Sequence, residues 1–274
     1  MPGRAARGRV VRHSPAQSVG GADAFGRHAT SRAVTGRDRA ALRSGFVLPD
    51  DDSYDGFPPG FFARSDPGTD VGFYAAPRLV THIDDDAIAA VGALYAELGL
   101  CGAGSGPVLD LMSSWVSHFP EKPASLTVLG MNDAELRANE MADDRVVVDL
   151  NAESSAQLPF GDGAFAAAVC CVSVDYLIHP IEVFREVARV VAPGGVFVCT
   201  FSNRCFPSKV IRGWLGTNDR GHVGIVREYF RRSGGWGDVR DSSRMPPGHR
   251  GDPLFAVWGT RSRSESAVGV AVQR

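Results

Sequence analysis

Short apolar runs alternate with polar, turn-forming segments over most of the chain. Each run is too short to form a helix, and several are bounded by Gly, Pro or Asp, which is typical of buried strands. Strands are therefore predicted at six places, which are residues 108–111, 126–129, 146–148, 166–174, 196–201 and 254–258.

Two other segments have helical periodicity. In the first, Asp84 and the two acids after it suit a helix N-terminus, and Gly99 is placed to end the helix. In the second, Pro180 lies near the first turn and Pro193-Gly194-Gly195 are predicted to end it. Continuous apolar strands separated by helices indicate a parallel sheet covered on both faces, which binds ligands at the carboxyl ends of its strands.

The two ends of the chain differ in composition from its centre. Nine arginines and two aspartates give residues 1–45 a charge of +7, which leaves −9 for the rest of a chain whose net charge is −2. This composition predicts a transit peptide, with chloroplast preferred over mitochondrion and a basic tail on a cytoplasmic protein as the alternative. Residues 46–105 are expected to form an irregular aromatic lead-in and a helix, residues 106–260 the main domain, and residues 261–274 a flexible tail.

Composition also excludes several classes of protein. No run approaches the roughly 20 apolar residues that span a bilayer, so no integral membrane segment is expected. The excess of acids after residue 45 argues against nucleic-acid binding. The five cysteines are odd in number and show no CxxC spacing, which argues against a disulfide framework and against a metal site.

The strand ends carry motifs in a fixed order. Val-Leu-Asp-Leu stands at 108–111, LPFGDGAF at 158–165 and FREVARVVAPGGVFV at 184–198. This succession resembles the type 11 group of class I S-adenosylmethionine (SAM)-dependent methyltransferases over about residues 106–260. A longer set of segments resembles a branch of that superfamily found in plants and algae; it comprises SSWVSH at 113–118, GMNDAEL at 130–136, DLN at 149–151, VSVDYL at 172–177 and SNRCF at 202–206. The resemblance implies an α/β, Rossmann-like, doubly wound sheet, mostly parallel with an antiparallel last strand. It also implies SAM as cofactor and a small-molecule acceptor.

The same resemblance suggests which residues bind SAM. Ser113 and Ser114 are placed to hydrogen-bond the methionine carboxylate, and Asn132 takes the ribose position, with Asp133 and Glu135 as alternatives. Asp149 and Leu150 match the adenine site. The cofactor candidates are Asp110, Ser113, Ser114, Asn132, Asp149, Leu150 and Ser173.

Two departures from the family pattern concern the cofactor. The loop after the first strand is normally glycine-rich so that its backbone approaches the methionine moiety, but residues 112–115 read Met-Ser-Ser-Trp. The ribose position holds the amide Asn132 where a carboxylate is usual, and an amide lacks a charge-assisted hydrogen bond.

Candidates for catalysis follow the first and fourth strands. His118 has the near-neutral pKa of a general base, while Asp175 and Tyr176 lie where the family positions its acceptor. Cys205 after the fifth strand is a weaker candidate for thiol chemistry, assisted by Arg204, with a packed core thiol as the alternative. Trp214, Tyr229, Phe230, Trp236 and His222 either roof a pocket or build core.

Two functions therefore compete. The first is a SAM-dependent methyltransferase acting on a small molecule. The second, suggested by the missing glycines, is a methyltransferase-fold protein without catalysis that binds or assembles a protein partner. Fold alone does not decide between them.

Overall fold

A computed structural model describes residues 54–152 and 157–263. The helices are α1 (Asp70–Phe73), α2 (Asp85–Glu97), α3 (Asp133–Ala138), α4 (Pro180–Val190), α5 (Arg212–Leu215) and α6 (Asp219–Ser233). The strands are β1 (Gly102–Leu111), β2 (Pro123–Gly130), β3 (Asp144–Val147), β4 (Phe165–Cys171), β5 (Val191–Phe201), β6 (Trp236–Ser243) and β7 (Phe255–Arg261). The predicted transit peptide and nearly all of the predicted C-terminal tail lie outside the described residues.

The seven strands form one sheet in the order β3-β2-β1-β4-β5-β7-β6. β1 to β5 pair in parallel, whereas β7 runs antiparallel to both of its neighbours, β5 and β6. The predicted mostly parallel, doubly wound sheet with an antiparallel last strand is confirmed. Because the chain winds outward in opposite directions from β1 and β4, the carboxyl ends of these two strands form the topological switch point.

The alternating side chains of each strand enter two separate cores. In β4, Ala168 and Cys170 join one buried cluster, while Ala167 and Val169 join the other, as expected for a strand covered on both faces. The first cluster is closed by α4 and α6. It also contains the predicted pocket-roof aromatics Trp214, Tyr229 and Phe230, which therefore build core.

The second face of the sheet is covered by α2. The predicted helix is observed: Asp84 caps it by accepting the amide of Ala87 at 2.9 Å, and Gly99 follows it with φ of 71°. Val91 and Leu94 are fully buried in the same cluster as strand residues of β1 and β2.

The connection between β1 and β2 contains no helix. Parallel neighbours are usually joined through one, but residues 112–122 here are irregular. The helix that covers these strands is α2, which precedes β1 in the chain. Tyr95 of α2 stacks against Phe119 of the connection at 4.6 Å, and Gly92 lets the carbonyl of His118 approach the helix closely.

The aromatic lead-in packs as predicted. Rings of Tyr54, Phe57, Phe61 and Phe62 lie within 4.9 to 6.4 Å of one another and close the outer side of the first core. The ring of Phe61 occupies the space in which any side chain at Gly213 would lie.

Two features differ from the sequence prediction. β5 begins at Val191, so Pro193-Gly194-Gly195 lies within the strand rather than in a helix-ending turn. Gly195 is needed there because a Cβ would meet the carbonyl oxygen of Ala166 at 2.3 Å. Helix α6 and strand β6 were not predicted. No helix in the described ranges is both long and apolar enough to cross a bilayer.

Candidate functional site

A cavity of about 370 Å³ lies at the carboxyl ends of β1, β2, β3 and β4. The strand ends form its floor, and residues 70–82, which are the second half of the lead-in, cover it. Nine of the ten predicted site residues line it, and the exception is Asp175. The sequence candidates are therefore brought together at the topological switch point, where a sheet of this kind binds its ligands.

The loop after β1 is held tightly against the sheet. The hydroxyl of Ser113 donates to the Asp110 carboxylate at 2.7 Å, and the Ser113 amide donates to the carbonyl of Leu129 at 2.7 Å. Burial raises the pKa of Asp110 to about 7, although hydrogen bonds from Ser117 and Ser113 oppose the shift. Asp110 therefore organises this loop, while its own carboxyl group is only partly ionised at neutral pH.

Ser114, the next residue of this loop, is also hydrogen-bonded to an acid, in this case one that follows β2. Its hydroxyl donates to Glu135 at 2.6 Å. Each serine hydroxyl carries one proton, and both protons are directed to protein carboxylates. The predicted hydrogen bonds from Ser113 and Ser114 to a methionine carboxylate are thus not supported by this geometry.

Asn132, the predicted ribose ligand, makes three side-chain hydrogen bonds to protein groups, which use both of its N–H donors. Its side-chain oxygen accepts the amide of Glu135 and caps α3, while its nitrogen donates to the carbonyls of Tyr74 and Ala75 at 2.8 and 3.1 Å. Asp133 is exposed, pairs with Arg137, and does not line the cavity. Of the three alternatives, Glu135 has a carboxylate that lines the cavity with lone pairs to spare.

Asp149 and Leu150, the predicted adenine contacts, follow the end of β3 and line the cavity. Asp149 is half-buried and accepts the amide of Asn151 at 2.9 Å, and burial raises the pKa of Asp149. Leu150 lines the cavity while packing into the core. An acid beside an apolar wall suits a flat, apolar ligand that carries a hydrogen-bond donor at its edge.

After β4 the chain turns sharply into the cavity wall. Val172 has φ of 44°, a conformation that is costly for a β-branched residue. Ser173 donates to the carbonyl of Cys171 at 2.9 Å, and the hydroxyl of Tyr176 accepts the amide of Phe206 at 2.8 Å. The Tyr176 proton has no acceptor among the described residues and remains available for a ligand.

Asp175 is the predicted site residue that the structure does not bring to the cavity. It is buried with 2% exposure, and its Oδ2 atom has no hydrogen-bond partner among the described residues. Burial raises its pKa to about 8. The carboxyl group is therefore mainly protonated at pH 7 and is separated from any ligand in the cavity.

His118 lines the cavity with φ of 54°. Burial, and to a smaller extent repulsion by His82, lowers its pKa, so the imidazole is neutral at pH 7 and able to accept a proton. Met112, also in the lining, has φ of 56°. With Val172, three of the four non-glycine residues of positive φ in the described chain thus line the cavity.

Cys205 does not have the surroundings of a reactive thiol. Its pKa is raised by burial and by Asp175, which favours the neutral thiol. Arg204, the expected activator, pairs with Asp252 at 3.2 Å instead.

A buried ion network, which was not predicted from the sequence, fixes the lead-in above the cavity. Asp70 accepts from Arg64 at 2.7 Å, from Asn151 at 2.9 Å, and lies 3.2 Å from Lys209. Both cations and the acid are almost completely buried. Arg64 and Asp70 are six residues apart, but Asn151 and Lys209 are distant from them in the sequence, so only tertiary structure reveals the whole network. Arg78, which was not predicted from the sequence either, lies in the same covering segment and lines the cavity.

The strand order and the position of the cavity define a class I methyltransferase fold. Residues 100–199 match the family model described as a methyltransferase domain. The predicted resemblance to class I SAM-dependent methyltransferases is therefore confirmed for this segment. No curated protein matches the sequence.

Several solved structures are similar to this chain at low sequence identity. A SAM-dependent methyltransferase from Mesorhizobium loti is 17% identical, with a TM-score of 0.43 over 62% of this chain and 96% of that one. A SAM-dependent methyltransferase from Aquifex aeolicus is 14% identical, with a TM-score of 0.44 over 64% and 91%. Geranyl diphosphate C-methyltransferase from Streptomyces coelicolor, solved with S-adenosyl-L-homocysteine, is 13% identical, with a TM-score of 0.42 over 63% and 80%. At these values the similarity extends to no property of the site.

Proposed function

We propose that this protein binds SAM and transfers its methyl group to a small-molecule acceptor. The observation that carries the proposal is the cavity of about 370 Å³ at the switch point, which is lined by the three acids Asp110, Glu135 and Asp149. Its volume falls in the range of small-ligand sites, roughly 300–1,000 Å³. SAM supplies an electrophilic methyl group, and the protein has to hold the acceptor in line with it.

The cofactor end of the cavity is assigned to the ends of β2 and β3. Asp149 would accept the exocyclic amine of the adenine, and Leu150 would pack against the ring. Glu135 replaces Asn132 as our candidate for the ribose hydroxyls, because the Asn132 amide is already used by the protein. Gly130 leaves room for the loop after β1 to cross β2, since a Cβ there would meet the Ser113 carbonyl oxygen at 2.2 Å.

The acceptor end is assigned to Tyr176, which follows β4, and to His118, which follows β1. Tyr176 offers a hydroxyl proton, and neutral His118 offers a proton acceptor. Methyl transfer depends chiefly on alignment, so we expect these residues to position the acceptor before they contribute any acid–base chemistry. Asp175 would act only indirectly, because it does not line the cavity.

Calorimetric titration of SAM and S-adenosylhomocysteine into the full-length chain tests the proposal. We expect micromolar binding by the wild type and a loss of about tenfold or more in D149A, with D133N as the exposed control. No binding at millimolar concentration, in protein whose near-UV circular dichroism shows that it is folded, would refute the cofactor assignment.

A second function is favoured by one set of observations. The loop after β1 has no glycine, both serine hydroxyls are engaged, and no helix follows the loop before β2. We infer that, if SAM does not bind, the fold serves as a binding or assembly protein. That function predicts a complex of defined stoichiometry, measured by native mass spectrometry of the protein purified from its own cells.

A further inference from the structure

Arg78 is a cation in the cavity lining that forms no ion pair within the described ranges. Its guanidinium lies 4.7 Å from the ring centroid of Phe73 and 5.5 Å from that of Phe206. Its Nη2 atom donates to the carbonyl of Phe73 at 2.8 Å. Its Nη1 atom is buried and has no hydrogen-bond partner among the residues that the structure describes.

A buried charged N–H donor without an acceptor is unfavourable unless other contacts hold the group in place or a ligand supplies the missing acceptor. The aromatic rings fix the position of the Arg78 guanidinium through cation–π contacts, but they accept no hydrogen bond from Nη1 in its plane. A planar guanidinium held in this way matches the two oxygens of a carboxylate.

The other basic groups of the lining are not available for this role. Arg204 is largely exposed and pairs with Asp252. Burial lowers the pKa of His82 and of His118, so both rings are uncharged at pH 7. Arg78 is therefore the cation of the lining best placed to meet an anionic ligand.

We propose that Arg78 anchors a carboxylate group in this cavity. This proposal rests on the proposed function for its ligand. The carboxylate has two possible sources, which are the methionine moiety of SAM and an acidic acceptor. The first source would explain how a cofactor is held without a glycine loop, because Ser113 and Ser114 donate to protein acids instead.

Titration of the full-length chain with three probes distinguishes the sources. S-adenosylhomocysteine contains the amino-acid carboxylate, 5′-methylthioadenosine lacks it, and benzoate represents an acidic acceptor. The variants are R78Q, R78K and, as the control, R137Q, an exposed arginine outside the cavity lining, each checked by thermal melting. R78K retains the charge without the planar fork, so it serves if R78Q does not fold.

If Arg78 binds the cofactor carboxylate, R78Q lowers the affinity for S-adenosylhomocysteine about 10- to 100-fold and leaves the affinity for 5′-methylthioadenosine unchanged. If it binds the acceptor, R78Q leaves both adenosine ligands unchanged and abolishes benzoate binding to the complex with S-adenosylhomocysteine. In either case R137Q behaves as the wild type, and R78K lies between the wild type and R78Q.

The proposal is overturned if R78Q binds all three probes with the affinity of the wild type. It is overturned equally if R78Q lowers the affinities for S-adenosylhomocysteine and 5′-methylthioadenosine by the same factor. It is also overturned if the wild type binds none of them. A wild type that binds benzoate through Arg78 but neither adenosine ligand would retain the carboxylate anchor and refute the methyltransferase function.

Discussion

Replacing Asp175 by Asn should make the protein more stable at neutral and alkaline pH. Asp175 is buried, its Oδ2 atom lacks a partner in the described chain, and its pKa is raised from 3.8 to about 8. The folded state therefore holds a proton that the unfolded state releases. Stability falls as the pH rises from the unfolded pKa to the folded one, and levels off above it.

The size of the effect follows from the two pKa values of Asp175. Each pH unit between them costs about 1.4 kcal/mol, so the full penalty above pH 8 is about 6 kcal/mol. Between pH 5.5 and 8.5 the wild type should lose about 3 kcal/mol from this group alone. D175N lacks the titration, and the contribution of Asp110 cancels in the comparison because both proteins contain it.

Urea denaturation at pH 5.5, 7.0 and 8.5 measures this difference. The stability of D175N relative to wild type should rise by about 3 kcal/mol across the series, while the exposed control D133N should show no such trend. A difference that does not change with pH, or a wild type that is the more stable protein at pH 8.5, would show that the reasoning about Asp175 is wrong.

Three further predictions concern other parts of the chain. N132A removes the cap of α3 and both hydrogen bonds to the lead-in, so we expect urea denaturation to show a loss of about 2–3 kcal/mol; a loss below 0.5 kcal/mol would contradict this role. G130A places a Cβ 2.2 Å from the carbonyl oxygen of Ser113, and calorimetry should show S-adenosylhomocysteine binding weakened at least about tenfold, whereas G104A, in open space, should bind normally. Residues 1–45 fused to a fluorescent protein should direct it to plastids in plant cells, and cytosolic fluorescence would contradict the predicted import.

Much of the fold could be predicted because its signals are local. The apolar runs fixed the positions of β1, β2 and β4, and the cap at Asp84 and the stop at Gly99 fixed α2. Helix α6 was missed because its mean hydropathy is low, although its buried residues Ile225, Val226, Tyr229 and Phe230 follow helical spacing and its arginines lie outside that stripe. Strand β6 was missed because most of its side chains are polar, as befits the edge of the sheet.

The position of the candidate site was predicted better than the hydrogen bonds that its residues make. Strand ends of a parallel sheet converge, so nine of ten candidates line one cavity. Which of their polar atoms are free depends on partners distant in sequence, such as Tyr74 for Asn132 and Glu135 for Ser114. The same limitation hid Arg78, whose guanidinium lies beside Phe206, a residue distant in the sequence.

The placement of α2 before β1 has a practical consequence for anyone who shortens this protein. A fragment cut to the matched segment, residues 100–199, would begin after α2 and end before β6 and β7. Its sheet would present Val108, Leu126 and Val128 to water, since α2 normally covers them, and β5 would become an unpaired edge. The recognisable segment is therefore not an autonomous unit, and an expression boundary chosen from it would yield an aggregating polypeptide rather than a smaller folded protein.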